Sequence, residues 1–245
     1  SIRRRLVKDT ETKRKLLDFD AILYMGNQFN KNSYEKFKLP LYKIFPSTNN
    51  SIIFNYKSIA NRDPRKFVYF GGNGLICKGL DLVLEAFDGL RDVSLDICGP
   101  TDEKDFWNYY KPLLKRNSNI NFHGFIDVKG KFFNYLMDRA SFNIFPASAE
   151  ASATSVLTCM RKGVIPVCTK EAGIDIDGFG FYLYQRDVEY IKNRILKLSK
   201  KKTSEIIKRS IDTYIASHAF TEERFKLSFE KALLNSCEIL KGRDK

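Results

Sequence analysis

Residues 67–87 read FVYFGGNGLICKGLDLVLEAF, and this stretch determines the fold class. A short apolar, β-rich run comes first and leads through a glycine-rich loop into a segment with helical periodicity. The helical segment extends from Gly79 to Leu90, and its apolar residues at helical spacing are Leu80, Val83, Leu84, Phe87 and Leu90, which form one stripe along a helix. A strand, a glycine-rich loop and an amphipathic helix in succession are typical of α/β proteins. We therefore predict a helix that packs on one face of a sheet.

Five more β-rich runs follow, and a helical stretch comes after most of them. They lie at 93–98, 120–124, 142–145, 164–168 and 181–184, after the first run at 67–71. Several are almost continuously apolar, as expected of strands that are covered on both faces. Six strands that alternate with helices indicate an α/β fold with a doubly wound parallel sheet.

The first 66 residues do not complete a second domain. Residues 3–18 have the pattern of a basic amphipathic helix and residues 21–25 that of a strand, and a stretch rich in Asn, Ser and Pro then resembles a linker up to Pro64. A lone helix and strand bury too little apolar surface to be stable by themselves. Because the chain also begins with Ser, we expect it to be the C-terminal part of a larger protein.

The C-terminal quarter is helical in pattern. A helical stretch covers roughly 187–216, and Thr221 then has the features of an N-cap, with acidic residues in the first turn of a last helix that runs to about Leu240. The expected organisation is an N-terminal remnant with a linker at 1–62, a ligand-binding domain at 63–216 and a terminal helix at 217–245 that packs back toward the N-terminal segment.

Charge and cysteine content exclude several classes of protein. The net charge is +13, of which +9 falls in residues 1–66. Such a surplus fits a solvated basic face, an anionic membrane surface or an anionic substrate, and no nucleic-acid-binding motif accompanies it. No apolar run reaches the ~18 residues of a membrane span. The five cysteines are scattered, mostly within apolar runs, which favours reduced core thiols over disulfides or a zinc site.

The glycine-rich loop at 71–79 is the first candidate ligand site. Its glycines allow close approach of the backbone, and the positive end of the following helix together with Lys78 suits a phosphate. A P-loop would require Gly-Lys followed by Ser or Thr, and a dinucleotide fingerprint would require a small residue where Cys77 stands. A different kind of phosphate clamp and a plain turn with an exposed lysine remain as alternatives.

The second candidate follows the fourth strand, at residues 145–158. Ligands of open α/β sheets bind at the carboxyl ends of the strands, and the small residues at 151–155 leave room there for a bulky polar ligand. Glu150 can accept two hydroxyl hydrogen bonds, as a carboxylate that holds a sugar does. A helix start with a favourable acid and Ser/Thr capping is the competing interpretation.

The order of these motifs resembles the C-terminal, donor-binding domain of GT-B glycosyltransferases, specifically family 4 (group 1). The resemblance covers about 67–184 and extends weakly to both ends, where 21–27 resembles the last strand of the acceptor domain and 220–225 the terminal helix. The motifs that carry it are Lys78-Gly-Leu-Asp81, Cys98-Gly-Pro100, Phe122-His-Gly-Phe125, Pro146 to Glu150, and Gly163-Val-Ile-Pro166. It implies a Rossmann-like domain that binds a nucleotide diphosphate sugar without a metal or other cofactor.

The resemblance also implies roles for individual residues. Lys78 would pair with the donor diphosphate and Glu150 would bind the transferred hexose, so these two are the expected catalytic residues. The other expected donor-binding residues are Gly72, Asn73 and Gly74 around the phosphates, Phe125 and Ile126 beside the nucleobase, Ser152, Ala153, Thr154 and Ser155 through their amides, and Thr158 near the ribose.

Two of these positions depart from the family pattern. Asn73 stands where many relatives have an arginine, so one phosphate-binding cation is absent. Thr158 stands where the second glutamate of the Glu-x7-Glu motif binds ribose hydroxyls. A hydroxyl can still form a hydrogen bond there, but it loses the charge-assisted part, about 1 kcal/mol.

The expected activity is retaining transfer of a sugar from a UDP- or GDP-sugar to a saccharide or lipid-linked acceptor, as in polysaccharide or lipopolysaccharide biosynthesis. The expected location is cytoplasmic, with peripheral contact to an anionic inner membrane face. The chain alone would bind donor weakly and turn over little, because acceptor-orienting groups should lie on the other domain. The alternatives are a non-catalytic nucleotide-sugar-binding module and a basic nucleic-acid or membrane-surface binder.

The remaining candidates for a metal or catalytic site have weaker support in the sequence. Asp175-Ile-Asp177 and Asp18-Phe-Asp20 match the Asp-x-Asp metal motif of the other glycosyltransferase fold, but both are interpreted as solvated acids. His123 and His218 have no Cys or carboxylate at ligand spacing in the sequence, so neither a metal site nor a hydrolytic triad is expected.

Overall fold

A computed structural model of the chain describes residues 19–49 and 51–243. The helix expected over 3–18 lies outside these residues. The strands are β1 (Ile22–Tyr24), β2 (Leu41–Lys43), β3 (Lys66–Phe70), β4 (Ser94–Cys98), β5 (Ile120–Gly124), β6 (Phe142–Phe145), β7 (Ile165–Cys168) and β8 (Phe181–Tyr182). The helices are α1 (Gln28–Glu35), α2 (Tyr56–Ile59), α3 (Leu80–Phe87), α4 (Lys104–Arg116), α5 (Lys131–Arg139), α6 (Thr154–Met160), α7 (Val188–Leu198), α8 (Thr203–Ser217) and α9 (Glu222–Arg243).

Strands β3 to β8 form one parallel sheet in the order β5-β4-β3-β6-β7-β8. The six strands coincide with the six apolar runs, so the doubly wound α/β fold is confirmed. The order reverses between β3 and β6, which are the first and fourth strands of this sheet along the chain. An open sheet has its ligand-binding crevice at such a reversal, beyond the carboxyl ends of the strands.

The core explains why these runs form strands. Phe67 on β3 and Phe142 on β6 stack across the sheet at 5.0 Å between ring centroids, and Phe87 of α3 meets Phe67 edge-on. All three side chains are completely buried. The predicted stripe on α3 is also confirmed, since its members through Phe87 are completely buried and Leu90 nearly so.

The segment that resembles a linker contains regular structure instead, which corrects that expectation. Asn27 caps α1: its side chain accepts hydrogen bonds from the amides of Phe29 and Asn30, and the Asn30 side chain accepts one from the Asn27 amide. Helix α1 connects β1 to β2, which pair in parallel as a separate two-stranded sheet. The asparagines of this segment therefore act as helix caps as well as loop residues.

Helix α9 lies against the N-terminal segment. The Ser228 hydroxyl accepts a hydrogen bond from the Phe45 amide at 3.1 Å, and the Tyr42 hydroxyl contacts the Asn235 carbonyl at 3.4 Å. The Arg224 guanidinium lies 3.8 Å from the centroid of the Phe45 ring. No helix of the described residues is long and apolar enough to cross a membrane.

The helical stretch at 187–216 consists of two helices, since α7 ends at Leu198 and α8 begins at Thr203, and Lys200, Lys201 and Lys202 lie between them. The cysteines divide into two groups. Cys98, Cys159 and Cys168 are buried free thiols, whereas Cys77 and Cys237 are exposed. Burial raises the pKa of Cys98 and Cys168 to about 12, so these two thiols are poor nucleophiles at neutral pH.

Candidate functional site

Lys78 and Glu150 meet at the reversal point of the sheet. Lys78 lies in the loop after β3 and Glu150 in the loop after β6, and the Lys78 ammonium forms an ion pair with Glu150 Oε1. Their side chains are 19% and 20% exposed. The structure thus brings the two expected catalytic residues together at the position where an open sheet has its ligand-binding crevice, and a charged pair there can exchange partners with a polar ligand.

Backbone geometry places Lys78 at this position. The loop closes as a helical turn in which the Lys78 amide donates to the Gly74 carbonyl at 2.9 Å. Gly79 follows in the left-handed region with φ +77°, and a Cβ there would lie 2.4 Å from the Pro146 carbonyl oxygen. Only glycine can adopt this φ and also allow the Pro146 backbone to come so close. The turn therefore packs directly against the loop that carries Glu150.

Ser148 ties the two loops together on the same side. Its amide donates to the Cys77 carbonyl at 2.8 Å, and its hydroxyl donates to the same oxygen at 3.0 Å. Ser148 is two residues before Glu150 and Cys77 directly precedes Lys78, so these bonds set the distance between the ion-pair partners. The sequence did not single out this role, because a serine in a loop gives no signal of its hydrogen-bond partner.

Acidic residues hold the other side of the glycine-rich loop. The Glu103 carboxylate accepts hydrogen bonds from the amides of Gly74, at 2.6 Å, and Leu75, at 3.1 Å. The Asn73 amide group donates to Asp102 at 3.2 Å. The Gly74 amide, expected to face the donor phosphates, therefore already has a partner in this structure. Gly72 is exposed, and no atom lies within 4 Å of where its Cβ would be.

The loop after β6 is braced by the loop after β7. The amides of Glu150 and Ala153 donate to the carbonyls of Glu171 and Ala172, each at 2.9 Å. The Ala153 amide is therefore not free, in contrast to the expectation that it would bind donor. Thr154 and Ser155 are the first two residues of α6, and the first N–H groups of a helix have no acceptor within it.

The remaining predicted residues follow β5 and β6 along the chain. Phe125, just beyond β5, is 83% exposed, whereas Ile126 packs in the core at 8% exposure. The Thr158 hydroxyl donates to the Thr154 carbonyl at 2.8 Å and keeps its lone pairs for a ligand. Ser152 is half-buried in the loop between Glu150 and α6.

Tyr69 lies beneath the crevice. Its side chain is completely buried on β3, and its hydroxyl has no hydrogen-bond partner among the described residues. Burial, together with the nearby carboxylate of Glu150, raises the pKa of Tyr69 well above its usual value. A Cβ at Gly71 would lie 2.8 Å from this hydroxyl, so glycine at that position makes room for the tyrosine.

The N-terminal segment contacts the same loop. The Asn30 side-chain amide donates to the Glu150 carbonyl at 2.6 Å, and the Asn27 side-chain amide donates to the Lys170 carbonyl at 3.0 Å. Gly26 and Gly173 both lie against the Ala151 carbonyl. Residues before the main domain thus help to position Glu150, which the sequence analysis did not anticipate.

A cavity of about 910 Å³ lies on the outer side of the glycine-rich loop, against α4. Its charged lining consists of the carboxylates of Asp81, Asp102, Glu103 and Asp105 against a single lysine, Lys104. Burial raises the pKa of Asp81, as expected for a carboxylate with little solvation. So many acidic groups would repel a diphosphate, and the crevice with Lys78 is the better phosphate site.

The metal motifs gain no support from the geometry. In the described part of the chain, no three His, Cys, Asp or Glu side chains come together as a metal-binding group. Asp18 lies outside this part, and Asp175 and Asp177 are exposed. His123 does have a carboxylate neighbour, Asp96 at 2.7 Å on the adjacent strand, which the sequence spacing did not reveal.

The family model described as "Glycosyl transferases group 1" matches residues 52–213, about two thirds of the chain. None of the curated proteins compared with this chain matches it.

Several solved structures have the same fold. Sucrose-phosphate synthase from Thermosynechococcus elongatus superposes with a TM-score of 0.71 at 14% identity, over 94% of this chain and 61% of that one. Anabaena HepE in complex with UDP-glucose superposes with a TM-score of 0.69 at 14% identity, over 87% of this chain and 63% of that one. WaaG, a glycosyltransferase involved in lipopolysaccharide biosynthesis, superposes with a TM-score of 0.64 at 15% identity, over 86% of this chain and 61% of that one. The chain thus spans less than two thirds of each of these proteins.

Proposed function

We propose, on the premise that this chain belongs to the group 1 glycosyl transferase family, that its crevice binds a nucleotide diphosphate sugar for transfer to an acceptor. The ion pair of Lys78 with Glu150 at the reversal point carries this proposal. Its cation suits a diphosphate and its carboxylate suits sugar hydroxyls. The HepE structure, which contains UDP-glucose, supports the choice of donor class.

In this proposal the ion pair opens when donor binds. The Lys78 ammonium turns to the diphosphate, and the Glu150 carboxylate accepts hydrogen bonds from the hydroxyls of the hexose. As the bond from the anomeric carbon to the phosphate oxygen breaks, negative charge builds on the diphosphate and Lys78 stabilises it. The loop contacts at Ser148 and Gly79 hold the backbone of both loops in place, so opening the pair requires rotation of the two side chains and no movement of the loops.

We further propose that transfer retains the anomeric configuration and uses no metal. The acceptor hydroxyl would approach from the face that the diphosphate leaves, and its proton would pass to the departing phosphate oxygen. The new glycosidic bond and the free nucleotide diphosphate then balance the reaction. A cationic side chain at the diphosphate supplies the charge that a divalent ion provides in other transferases.

The acceptor would be a saccharide or a lipid-linked saccharide. WaaG, of the same fold, is involved in lipopolysaccharide biosynthesis, and the basic surplus in residues 1–66 suits an anionic membrane surface. We therefore propose a cytoplasmic protein with peripheral membrane contact.

A non-catalytic nucleotide-sugar-binding module is the second candidate. This candidate is favoured by Asn73 and Thr158, the two residues that depart from the family pattern. The Asn73 side chain donates a hydrogen bond to Asp102, and the Thr158 hydroxyl donates one to a carbonyl of its own helix. Neither contributes a charge to the crevice. Release of nucleotide diphosphate from the donor by the intact protein in the presence of acceptors would identify an enzyme, and its absence there despite donor binding would identify a binding module.

A donor screen tests the proposal. We expect at least one of UDP, GDP, ADP and their hexose derivatives to raise the unfolding temperature of the chain with increasing concentration, because a ligand that binds only the folded state stabilises it. Isothermal titration then gives Kd. Failure of every nucleotide at millimolar concentration, or competition of the nucleotide by duplex DNA, would contradict the donor site.

A further inference from the structure

A second cavity, of about 320 Å³, separates the N-terminal segment from the loops that follow β7 and β8. On one side it is lined by Gln28 and Phe29 at the start of α1. On the other side it is lined by Asp175, Asp177 and Tyr184. We refer to it as the α1–β8 cavity. Its volume is at the lower end of the range for small-molecule sites.

The α1–β8 cavity lies at one end of the proposed donor site. All six strands are parallel, so the loops that follow them line one edge in the order of the strands. Phe125 follows β5, Lys78 follows β3 and Glu150 follows β6, and the cavity lies beyond them, next to β7 and β8. Neighbouring strands are about 4.8 Å apart, so the cavity begins roughly one or two strand spacings past Glu150, on the side away from Lys78.

Direct contacts join the cavity to the Glu150 loop. Asn27 lines the cavity and caps the helix whose Asn30 side chain bonds the Glu150 carbonyl. The Ala151 carbonyl, next to Glu150, lies against Gly173, two residues before Asp175, which lines the cavity. A group in the cavity would therefore be a neighbour of a sugar held by Glu150.

The lining has the chemistry of a carbohydrate site. Tyr184 is 72% exposed and Phe29 46% exposed, and such aromatic rings offer an apolar surface to the C–H face of a pyranose. The carboxylates of Asp175 and Asp177 are exposed and can each accept hydroxyl hydrogen bonds. A few polar groups that converge beside aromatic rings are typical of small-molecule pockets.

The walls of the cavity are held by internal hydrogen bonds. The Tyr182 hydroxyl, which lines the cavity, accepts a bond from the Ile176 amide at 3.1 Å and so anchors the loop between Asp175 and Asp177. Burial is the main cause that raises the pKa of Tyr182 to about 12, so this hydroxyl remains neutral. A site that is formed before its ligand arrives binds at a lower entropic cost.

The charged side chains that line the cavity favour a neutral ligand over an anionic one. Two carboxylates face a single lysine, Lys170, whose ammonium lies 5.9 Å from the Tyr182 ring centroid. The net negative charge disfavours a phosphate or a carboxylate ligand. A neutral polyol makes use of the carboxylates as hydrogen-bond acceptors and of the rings as stacking surfaces.

We propose that the α1–β8 cavity is a saccharide subsite that holds a neutral pyranose of the acceptor beside the transferred sugar. This inference rests on the proposed function, since the acceptor role assumes a donor sugar at Glu150. It assigns Asp175 and Asp177 to hydroxyl recognition, in place of the metal motif that their spacing suggested.

Saturation-transfer NMR on the full chain tests the subsite. The probes are the methyl α-glycosides of glucose, galactose, mannose and N-acetylglucosamine at millimolar concentration, with and without excess UDP or GDP. We expect saturation transfer to at least one glycoside, at least 5-fold weaker in Tyr184→Ala and Asp175→Asn and unchanged by the nucleotides. Tyr109→Ala is the matched control, because Tyr109 is equally exposed (75%) but lies on α4.

Two results would overturn the inference. One is the absence of saturation transfer to all four glycosides, and the other is a signal that nucleotides displace or that Tyr184→Ala leaves intact. Nucleotide titration of the same samples reports on the donor site separately. A chain that binds nucleotide but no glycoside would contradict the subsite alone, whereas one that binds glycoside but no nucleotide would contradict its acceptor role together with the proposed function.

Discussion

The Lys78 ammonium and the Glu150 carboxylate form an ion pair across the point where the strand order reverses, although 72 residues separate them in sequence. Each side chain follows a strand of the same parallel sheet, and each loop is fixed by contacts with the other. The pair thus links the fold to the proposed chemistry, because it places a phosphate-binding cation next to a sugar-binding anion.

Glycine at position 79 should be required for stability. Gly79 and Gly89 share a φ of +77°, but only at Gly79 would a Cβ meet the Pro146 backbone. We expect Gly89→Ala to cost about 1–2 kcal/mol, the penalty of the left-handed region, and Gly79→Ala to cost at least about 2 kcal/mol more. Urea unfolding of both variants measures the difference. Equal losses would show that the contact with Pro146 does not constrain the loop.

Glu103 should stabilise the glycine-rich loop. Its carboxylate accepts bonds from the Gly74 and Leu75 amides in the manner of a helix cap. We expect Glu103→Ala to lower the free energy of unfolding by about 1 kcal/mol, which is about 2–4 °C in Tm for a chain of this size. Glu103→Gln keeps an acceptor oxygen, so its free energy of unfolding should fall by less than that of Glu103→Ala. Thermal unfolding checks both variants, and identical Tm values for the two would argue against the cap.

Cys77 should report on donor binding. It is exposed and adjacent to Lys78, and Cys237 is an exposed thiol on the distant helix α9. We expect N-ethylmaleimide at pH 7.5 to label these two cysteines first and a bound nucleotide diphosphate to slow labelling of Cys77 at least 5-fold. Peptide mass spectrometry measures both rates in one sample. Equal protection of Cys237 would indicate a global effect and not a bound ligand at the loop.

The strands could be predicted from the sequence because their signal is local. Burial on both faces makes a strand such as Phe142–Phe145 almost continuously apolar, and the bounds of this strand and of the edge strand Ile120–Gly124 agree with the predicted β-rich runs. The meeting of Lys78 and Glu150 also followed from the sequence, since residues after parallel strands share one edge of the sheet. Both inferences depend on residue type and order alone.

The supporting contacts could not be predicted in this way. Ser148 and Glu103 act on backbone groups of another loop, and which amide or carbonyl they reach depends on loop geometry and not on residue type. Helix α1 was missed because its capping box uses Asn27 and Asn30, whereas the usual signature has Ser or Thr followed by Glu or Gln. Its asparagines therefore resembled the composition of a linker.

The most direct test of the donor site is isothermal titration of a nucleotide diphosphate and its hexose derivative into the wild type, Lys78→Ala and Glu150→Gln, with Lys115→Ala as a control for an exposed lysine. We expect Lys78→Ala to weaken both ligands by about 1.5–3 kcal/mol, roughly 10- to 150-fold in Kd. Glu150→Gln should remove only the extra affinity of the sugar derivative, and Lys115→Ala should change neither. Unchanged affinities in Lys78→Ala, or an equal loss of both ligands in Glu150→Gln, would contradict the assignment of the two side chains to opposite ends of an activated sugar.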